Sequence, residues 1–241
     1  MKKFALGLLF LTAACASAPD TSNMSAEELY NLGYEQMQDT AWSKAAGTFE
    51  KLELEHPYSS WATKAKLMGA YAYYRDEKYD DAVIALDRFI HYHPSNKDAA
   101  YAYYMRGLCY YDQIVGSQKD QDNTAKSREA FNELIARFPD SEYAADAKAK
   151  MALINDHLAG QEMEVGRFYL NQKNYLSALN RFGVVVKDYQ TTPQIEEALY
   201  RLVEIYSILG LNEDGTKAYQ VLKHNYPDSI WCKRAEEVMA K

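Results

Sequence analysis

The sequence predicts an all-α fold, a solenoid of five helix pairs closed by a C-terminal capping helix. Three observations predict it. First, an aromatic or histidine followed by proline recurs at His56-Pro57, His93-Pro94, Phe138-Pro139 and Tyr226-Pro227, with Tyr189-Gln190 in the same slot. The spacings are 37, 45, 51 and 37 residues, a base period of 37 with two insertions, and such periods mark repeat arrays. Second, other columns keep that register: Phe49, Leu86, Phe131, Phe182 and Tyr219 stand eight positions before the slot, and Leu52, Phe89, Leu134, Val185 and Leu222 five before it. Third, between these marks, as in 65–74 and 101–111, alanine and large apolar residues recur at i, i+3 and i+4, the period of an amphipathic helix. No alternating, strand-like segment interrupts them.

The elements follow in order. Repeat one spans about 25–58 and opens with Ser25 and Glu28, spaced as a capping box. Repeat two is about 59–95. Repeat three, about 96–140, holds extra polar residues around Gln113 to Thr124, between its helices. The longer spacing that follows predicts one or two helices over 142–173, joined near Gly160; the first part caps repeat three and the second is helix A of repeat four. Repeat five is about 192–227. Ser59, Asn96, Ser141, Thr192 and Ser229 all stand two after the slot and are helix N-cap types. Ala45, Ala82, Ala130 and Ala178 are small enough for close helix approach. The last helix, from Ser229, puts Trp231, Ala235 and Val238 on one face and charged residues on the other, the stopper an open array requires. Helix–turn–helix units of about this length are similar to tetratricopeptide (TPR) repeats. The fold class is therefore a TPR-like α-solenoid, in which stacked neighbours bury the face that one pair cannot.

Composition agrees. The chain has 241 residues, 48 % hydrophobic and 25 % charged, the balance of a folded globular protein. Only 11 Gly and 6 Pro argue against a loop-rich β fold. A net charge of −7 disfavours a nucleic-acid partner, which needs a basic surface. Lys2 and Lys3 precede a short apolar run to Ala14 that reads as a secretion signal and is too short to span a bilayer. Small residues directly before Cys15 resemble the bacterial lipobox, with Thr12 three places before the cysteine and Leu11 one place further back. Residues 1–14 are then a lipoprotein signal peptide, Cys15 the lipidation site, and 15–24 a tether. Ala16 in place of Asp after the cysteine favours the outer membrane. The alternative is an ordinary signal peptide cut after Ala18, where the following Pro19 would hinder cleavage. Cys109 and Cys232 are read as buried thiols.

No chemistry is legible. His56 and His93 fill the pre-proline slot that aromatics fill elsewhere, and His91 and His93, two apart, point to different helix faces. No cysteine pair has zinc spacing, and there is no phosphate loop or nucleophile elbow. Carboxylates such as Glu53 and Glu55, or Asp80 and Asp81, are solvated helix faces. No catalytic residue, metal ligand or cofactor is assigned.

The 21 tyrosines are the remaining signal. Tyr71, Tyr74, Tyr101 and Tyr104 lie on A helices of repeats two and three, which line the concave face of TPR-like arrays. Tyrosine offers large contact area at low entropy cost and a hydroxyl for a peptide. Consecutive positions turn by about 100°, so the cluster cannot all point one way, and half or more of it packs between helices. The expectation is a partly exposed aromatic groove for an extended peptide.

Several stretches carry a closer resemblance. Ala85-Leu86-Asp87-Arg88-Phe89-Ile90, Tyr104-Met105-Arg106-Gly107-Leu108, Phe138-Pro139-Asp140-Ser141-Glu142-Tyr143-Ala144, and the span from Asp156-His157-Leu158-Ala159-Gly160 through Val165-Gly166-Arg167-Phe168-Tyr169-Leu170 resemble the BamD family, the last in its alphaproteobacterial form. These are TPR lipoproteins of the outer-membrane β-barrel assembly machinery. The resemblance implies a lipid-anchored protein on the periplasmic face of the outer membrane. Its implied partners are the POTRA domains of the barrel-forming subunit, unfolded outer-membrane proteins and accessory lipoproteins. It implies that Arg181, on helix B of repeat four, pairs with an acidic POTRA residue. On this reading 25–140 faces substrate and 141–241 docks on the barrel subunit. The repeat-three insertion is shorter than in enteric relatives. Two other classes differ in what they require. A TPR coordinator of the Tol or cell-wall systems often carries an N-terminal coiled coil, and no heptad run precedes Ser25. A transglycosylase with a superhelical body needs a catalytic domain, for which the repeats leave no chain.

Overall fold

The computed structural model of the chain describes residues 21–114 and 122–240, which form eleven helices and no strand. The signal segment, Cys15 and most of the repeat-three insertion lie outside the described residues. Helices α1 (Ala26–Gln38) and α2 (Trp42–Glu55) form the first pair, α3 (Ser60–Arg75) and α4 (Tyr79–Tyr92) the second, α5 (Ala99–Tyr111) and α6 (Asp122–Arg137) the third. Then come α7 (Glu142–Asn171) with α8 (Tyr175–Asp188), α9 (Ile195–Ile208) with α10 (Asn212–Asn225), and α11 (Ile230–Met239) against α9. Each helix packs on its chain neighbours, the arrangement of a solenoid.

The repeated columns are the core. Phe49, Leu86, Phe131 and Phe182 are fully buried, as are Leu52, Leu134, Val185 and Leu222, and Phe89 is nearly so; each such side chain contributes about 1.5–3 kcal/mol on burial. Tyr219, the fifth member, is only half-buried. The phenylalanines sit on a partner column that the sequence reading did not isolate. The position facing each on the A helix is Gly33 under Phe49, Gly107 under Phe131 and Gly166 under Phe182. A Cβ on Gly33 would lie 2.8 Å from the Phe49 ring, on Gly166 2.6 Å from the Phe182 ring, and on Gly107 closer still to Phe131. Repeat two places Ala70 in this column opposite the smaller Leu86, both fully buried.

A second small column lies four positions before the phenylalanines. It holds Ala45, Ala82 and Ala178, fully buried, and in repeat three Ser127, whose Oγ donates to the Gly107 carbonyl at 3.2 Å. Ala130, grouped with these alanines from the sequence, is buried beside Phe131 but one turn away from that column.

Turns repeat too. Helices α1, α3, α7 and α9 end with a left-handed residue at Thr40, Glu77, Lys173 and Gly210, φ +57° to +73°. The next N–H reaches back to the carbonyl of Gln36, Tyr73, Tyr169 or Tyr206 at 2.8–3.0 Å, the Schellman stop. The B helices α2, α4, α8 and α10 end on His56, His93, Tyr189 and Tyr226 with one shared conformation, φ −130° to −137° and ψ +38° to +54°, outside the helical region. Tyr189 keeps it with Gln190 in the proline slot.

The Ser25–Glu28 capping box is formed. Ser59, Ser141 and Ser229 cap α3, α7 and α11 through their side-chain oxygens. Asn96 and Thr192 do not cap, because α5 and α9 start later, after Asp98 and Gln194; Asn96 instead accepts from the Asp98 N–H and Thr192 donates to the Tyr189 carbonyl. Over 142–173 there is one helix, not two: α7 runs unbroken through Gly160, 30 residues and about 45 Å at 1.5 Å per residue. Its first half packs on α5 and α6, its second on α8, so one core passes from Ala100 through Ile154 and Met163 to Ile205. The capping helix is as expected: Ala235 is buried, Trp231 packs on Tyr200 at 5.4 Å, and Lys233, Arg234, Glu236 and Glu237 face water.

Gly107→Ala is expected to lower stability by about 1–3 kcal/mol through overpacking against Phe131. Gly47→Ala, in mid-helix with nothing near its added Cβ, is expected to raise it by up to ~1 kcal/mol. Urea unfolding midpoints of the two variants check both signs.

Candidate functional site

The tyrosines divide as helix geometry requires. Tyr103 is buried against Phe138, with the Arg106 and Arg137 guanidinium groups over its ring at 5.1 and 5.5 Å. Tyr73 turns to α2 and donates to Glu50 Oε1 at 2.6 Å. Tyr71, Tyr74, Tyr101 and Tyr104 are all half-buried and form a band with their neighbours. Tyr71 meets Trp42 edge-on at 6.2 Å and Tyr74 at 6.4 Å, and Tyr74 meets Tyr79 at 5.8 Å. Further along, Tyr143 at the start of α7 contacts Tyr101 at 5.4 Å and stacks on Tyr104 at 5.4 Å.

The hydroxyls expected to await a peptide are largely engaged. Tyr74 donates to Asp112 Oδ2 and Tyr104 to Asp146 Oδ2, each at 2.5 Å. Tyr71 accepts from Arg75 Nη1 at 2.9 Å, and that guanidinium lies 4.4 Å over Trp42. Burial, then the carboxylate acceptor, raises the pKa of Tyr74 and Tyr104; burial does the same for Tyr101. Tyrosine and aspartate thus strut α3 to the end of α5 and α5 to α7, and the band offers ring faces more than free hydroxyls.

Arg181 lies on the outer side of α8, its side chain 44 % exposed. Its Nη1 reaches Glu162 Oε2 and Oε1 on α7 at 3.2 and 3.4 Å. Tyr169, Ser177, Asn180, Arg181 and Val184 line a depression of about 220 Å³ here. Phe168, 60 % exposed, packs on Tyr169, and Leu176, 70 % exposed, lies one turn before Asn180. A cation beside exposed apolar groups is suited to a partner that brings a carboxylate and an apolar surface.

Two arginine networks hold these faces. Arg167 on α7 grips Glu197 on α9 with two parallel bonds, 3.0 and 2.9 Å, and Arg201 joins at 3.3 Å. Arg106 on α5 bridges Asp87 on α4 at 3.0 Å and Glu133 on α6 at 2.5 Å. The sequence reading missed both; their only trace is an arginine flanking the buried glycine at Arg106-Gly107 and Gly166-Arg167.

Among the described residues no group of His, Cys, Asp and Glu is arranged to hold a metal. His93 packs on Phe89 at 5.4 Å, and His56 Nε2 lies 3.0 Å from the Met24 carbonyl oxygen. Cys109 and Cys232 are buried free thiols, and burial pushes the Cys109 pKa up to about 12, far from a reactive thiolate. No helix among the described residues is long and apolar enough to cross a membrane.

Stacked helix pairs and a capping helix define a TPR-like α-solenoid. The chain belongs to the YfiO family, described as outer membrane lipoproteins, whose model matches residues 22–222. It is 44 % identical over 223 residues to the outer membrane protein assembly factor BamD of Rickettsia prowazekii (strain Madrid E), covering 92 % of this chain and 89 % of that one. It is 39 % identical to the BamD of Caulobacter vibrioides, covering 91 % and 73 %, and 34 % identical to that of Neisseria meningitidis serogroup A, covering 98 % and 95 %. Among solved structures it is similar to a thermophilic TPR protein of Thermus thermophilus, with a TM-score of 0.41 at 13 % identity over 90 % of this chain and all of that one.

In Glu197 burial raises the carboxyl pKa and the Arg167 and Arg201 contacts lower it; the contacts win, leaving it below its ordinary 4.5. A carboxylate with a depressed folded pKa adds stability above its unfolded pKa, lost as pH falls through the folded value. Glu197→Gln is therefore expected to cost about 1–3 kcal/mol at neutral pH, and the variant to lose less than the parent below pH 4.5. Thermal unfolding across the acid range reads the difference.

Proposed function

We propose that the chain is a non-enzymatic scaffold subunit of the machinery that assembles β-barrel proteins into the outer membrane. The observation that carries this reading is its likeness, over nine-tenths of its length, to proteins named outer membrane protein assembly factor BamD. Lipidated Cys15 anchors it at the periplasmic face. The face around Arg181 on α8 docks on a POTRA domain of the barrel-forming subunit, and the ring faces of Tyr71, Tyr74, Tyr101 and Tyr104 receive an extended segment of an unfolded barrel protein.

The geometry supports this division. Arg181 is half-exposed, and among the described residues Glu162 is the carboxylate that pairs with it. A POTRA carboxylate replaces an exchangeable intramolecular partner, so the arginine is held in place before docking. The tyrosine band is wide, aromatic and partly solvated, suited to modest and sequence-tolerant contact. Modest affinity is expected, since ordering an unfolded segment costs several kcal/mol. A tether raises the local concentration at the membrane without any new contact.

The test is co-purification of the barrel subunit with detergent-solubilised chain. Arg181→Glu is expected to weaken that association roughly tenfold or more, the scale for reversing a charge that is hydrogen-bonded across an interface. Helicity is expected to stay unchanged, and Glu162→Gln, which frees the arginine, to leave binding at least as strong. Full association by Arg181→Glu would contradict the docking face.

A further inference from the structure

Where the N-terminal segment meets the array, repeat one breaks a rule that later repeats keep. At two positions of the edge made by the C-terminal ends of the B helices, repeats three to five are small, polar or charged. Three positions before the proline slot stand Ala136, Lys187 and His224, and directly after it Asp140, Thr191 and Asp228. Repeat one has Leu54 and Tyr58 there, 82 % and fully exposed. Repeat two returns to His91 and Ser95 at these positions but adds Tyr92, 68 % exposed, which shares a depression with Glu53.

The chain is fastened to this same edge. Lys51 Nζ donates to the Thr21 carbonyl oxygen at 3.0 Å and to Thr21 Oγ1 at 2.6 Å, and His56 Nε2 stands 3.0 Å from the Met24 carbonyl oxygen. Lys51 is one turn before Leu54, and His56 lies between Leu54 and Tyr58. From Cys15 to Thr21 the backbone can span at most about 20 Å. An anchor at Cys15 therefore keeps Thr21 within that distance of the lipid surface, and with it the nearby edge that Lys51 fastens to Thr21.

We infer that Leu54 and Tyr58, extended by Tyr92, form a foot that inserts into the lipid surface carrying the anchor. This rests on the reading that Cys15 is acylated. Tyrosine belongs at the headgroup level and leucine below it. Both side chains stand almost wholly in solvent, so the fitting occupant is a deformable lipid surface. The contact sets the array on the edge of repeat one.

The experiment uses the full chain reconstituted into vesicles of phosphatidylethanolamine and phosphatidylglycerol whose acyl chains are brominated, with the mass of each preparation measured. Tyr58→Trp is compared with Asp140→Trp, the matching position in repeat three, and the emission of native Trp42, Trp61 and Trp231 is subtracted using the unsubstituted chain. Both positions are on the surface, and circular dichroism controls for folding. The expected result is an acylated chain in which the tryptophan added at Tyr58 loses more than half its emission and the one added at Asp140 keeps most of it. Equal quenching at both positions, or none at Tyr58 in an acylated chain, overturns the foot and leaves the anchor standing. An unmodified mass overturns both.

Discussion

The solenoid depends on a size match between facing positions of its paired helices. Where the B helix presents Phe49, Phe131 or Phe182, the A helix presents Gly33, Gly107 or Gly166, so the ring lies against bare backbone. Where the B helix presents Leu86, Ala70 is enough. In the last pair Val203 is opposite the half-exposed Tyr219, and the close approach passes to Gly215, whose Cβ would stand 3.4 Å from Tyr206 Cβ. Large plus small is kept from pair to pair while the individual residues change. Interiors pack like crystals, so one methyl on the wrong side of such a contact must move a helix. Helix spacing, and the stacking of one pair on the next, follow from this match.

On that frame α7 has a double role. It caps the third pair and begins the fourth, so helices that would otherwise meet at a joint share one rod and one core. The Arg167–Glu197 and Arg106–Glu133 bridges and the Tyr74–Asp112 and Tyr104–Asp146 struts tie successive helices along the same line. The tyrosine band on α3 and α5 and the Arg181 face on α8 are thereby held at a fixed separation. A scaffold subunit needs that property.

Much of the fold was legible because repetition multiplies weak signals. One His-Pro means little; the same slot at a constant period, with Phe and Leu in fixed columns before it, defines helix pairs and their core. The glycine column was harder to see, because glycine in a helix reads as a weak point until its partner on the facing helix is known. The turns were hidden for a different reason: Thr40, Glu77 and Lys173 adopt the left-handed stop without glycine, and only Gly210 carries the usual mark. Gly160 suggested a joint, yet a Cβ there would make only ordinary contact with the Gln194 amide at 3.9 Å, and one glycine costs a helix only ~1 kcal/mol. At the candidate site Arg181 was singled out by the family resemblance alone, whereas helical period was enough to divide the tyrosines between core and surface. It could not reveal Glu162, Asp112 or Asp146, partners set by stacking between turns far apart in the chain.

The size match is tested most directly by transplanting the pairing of repeat two into repeat three. Gly107→Ala and Phe131→Leu, alone and together, form a double-mutant cycle read by urea unfolding. The account predicts that the double variant is more stable than the sum of the single effects allows, with a coupling of roughly 1 kcal/mol or more in favour of the Ala–Leu pair. Simple additivity would contradict it, because the two positions would then not be sharing one space.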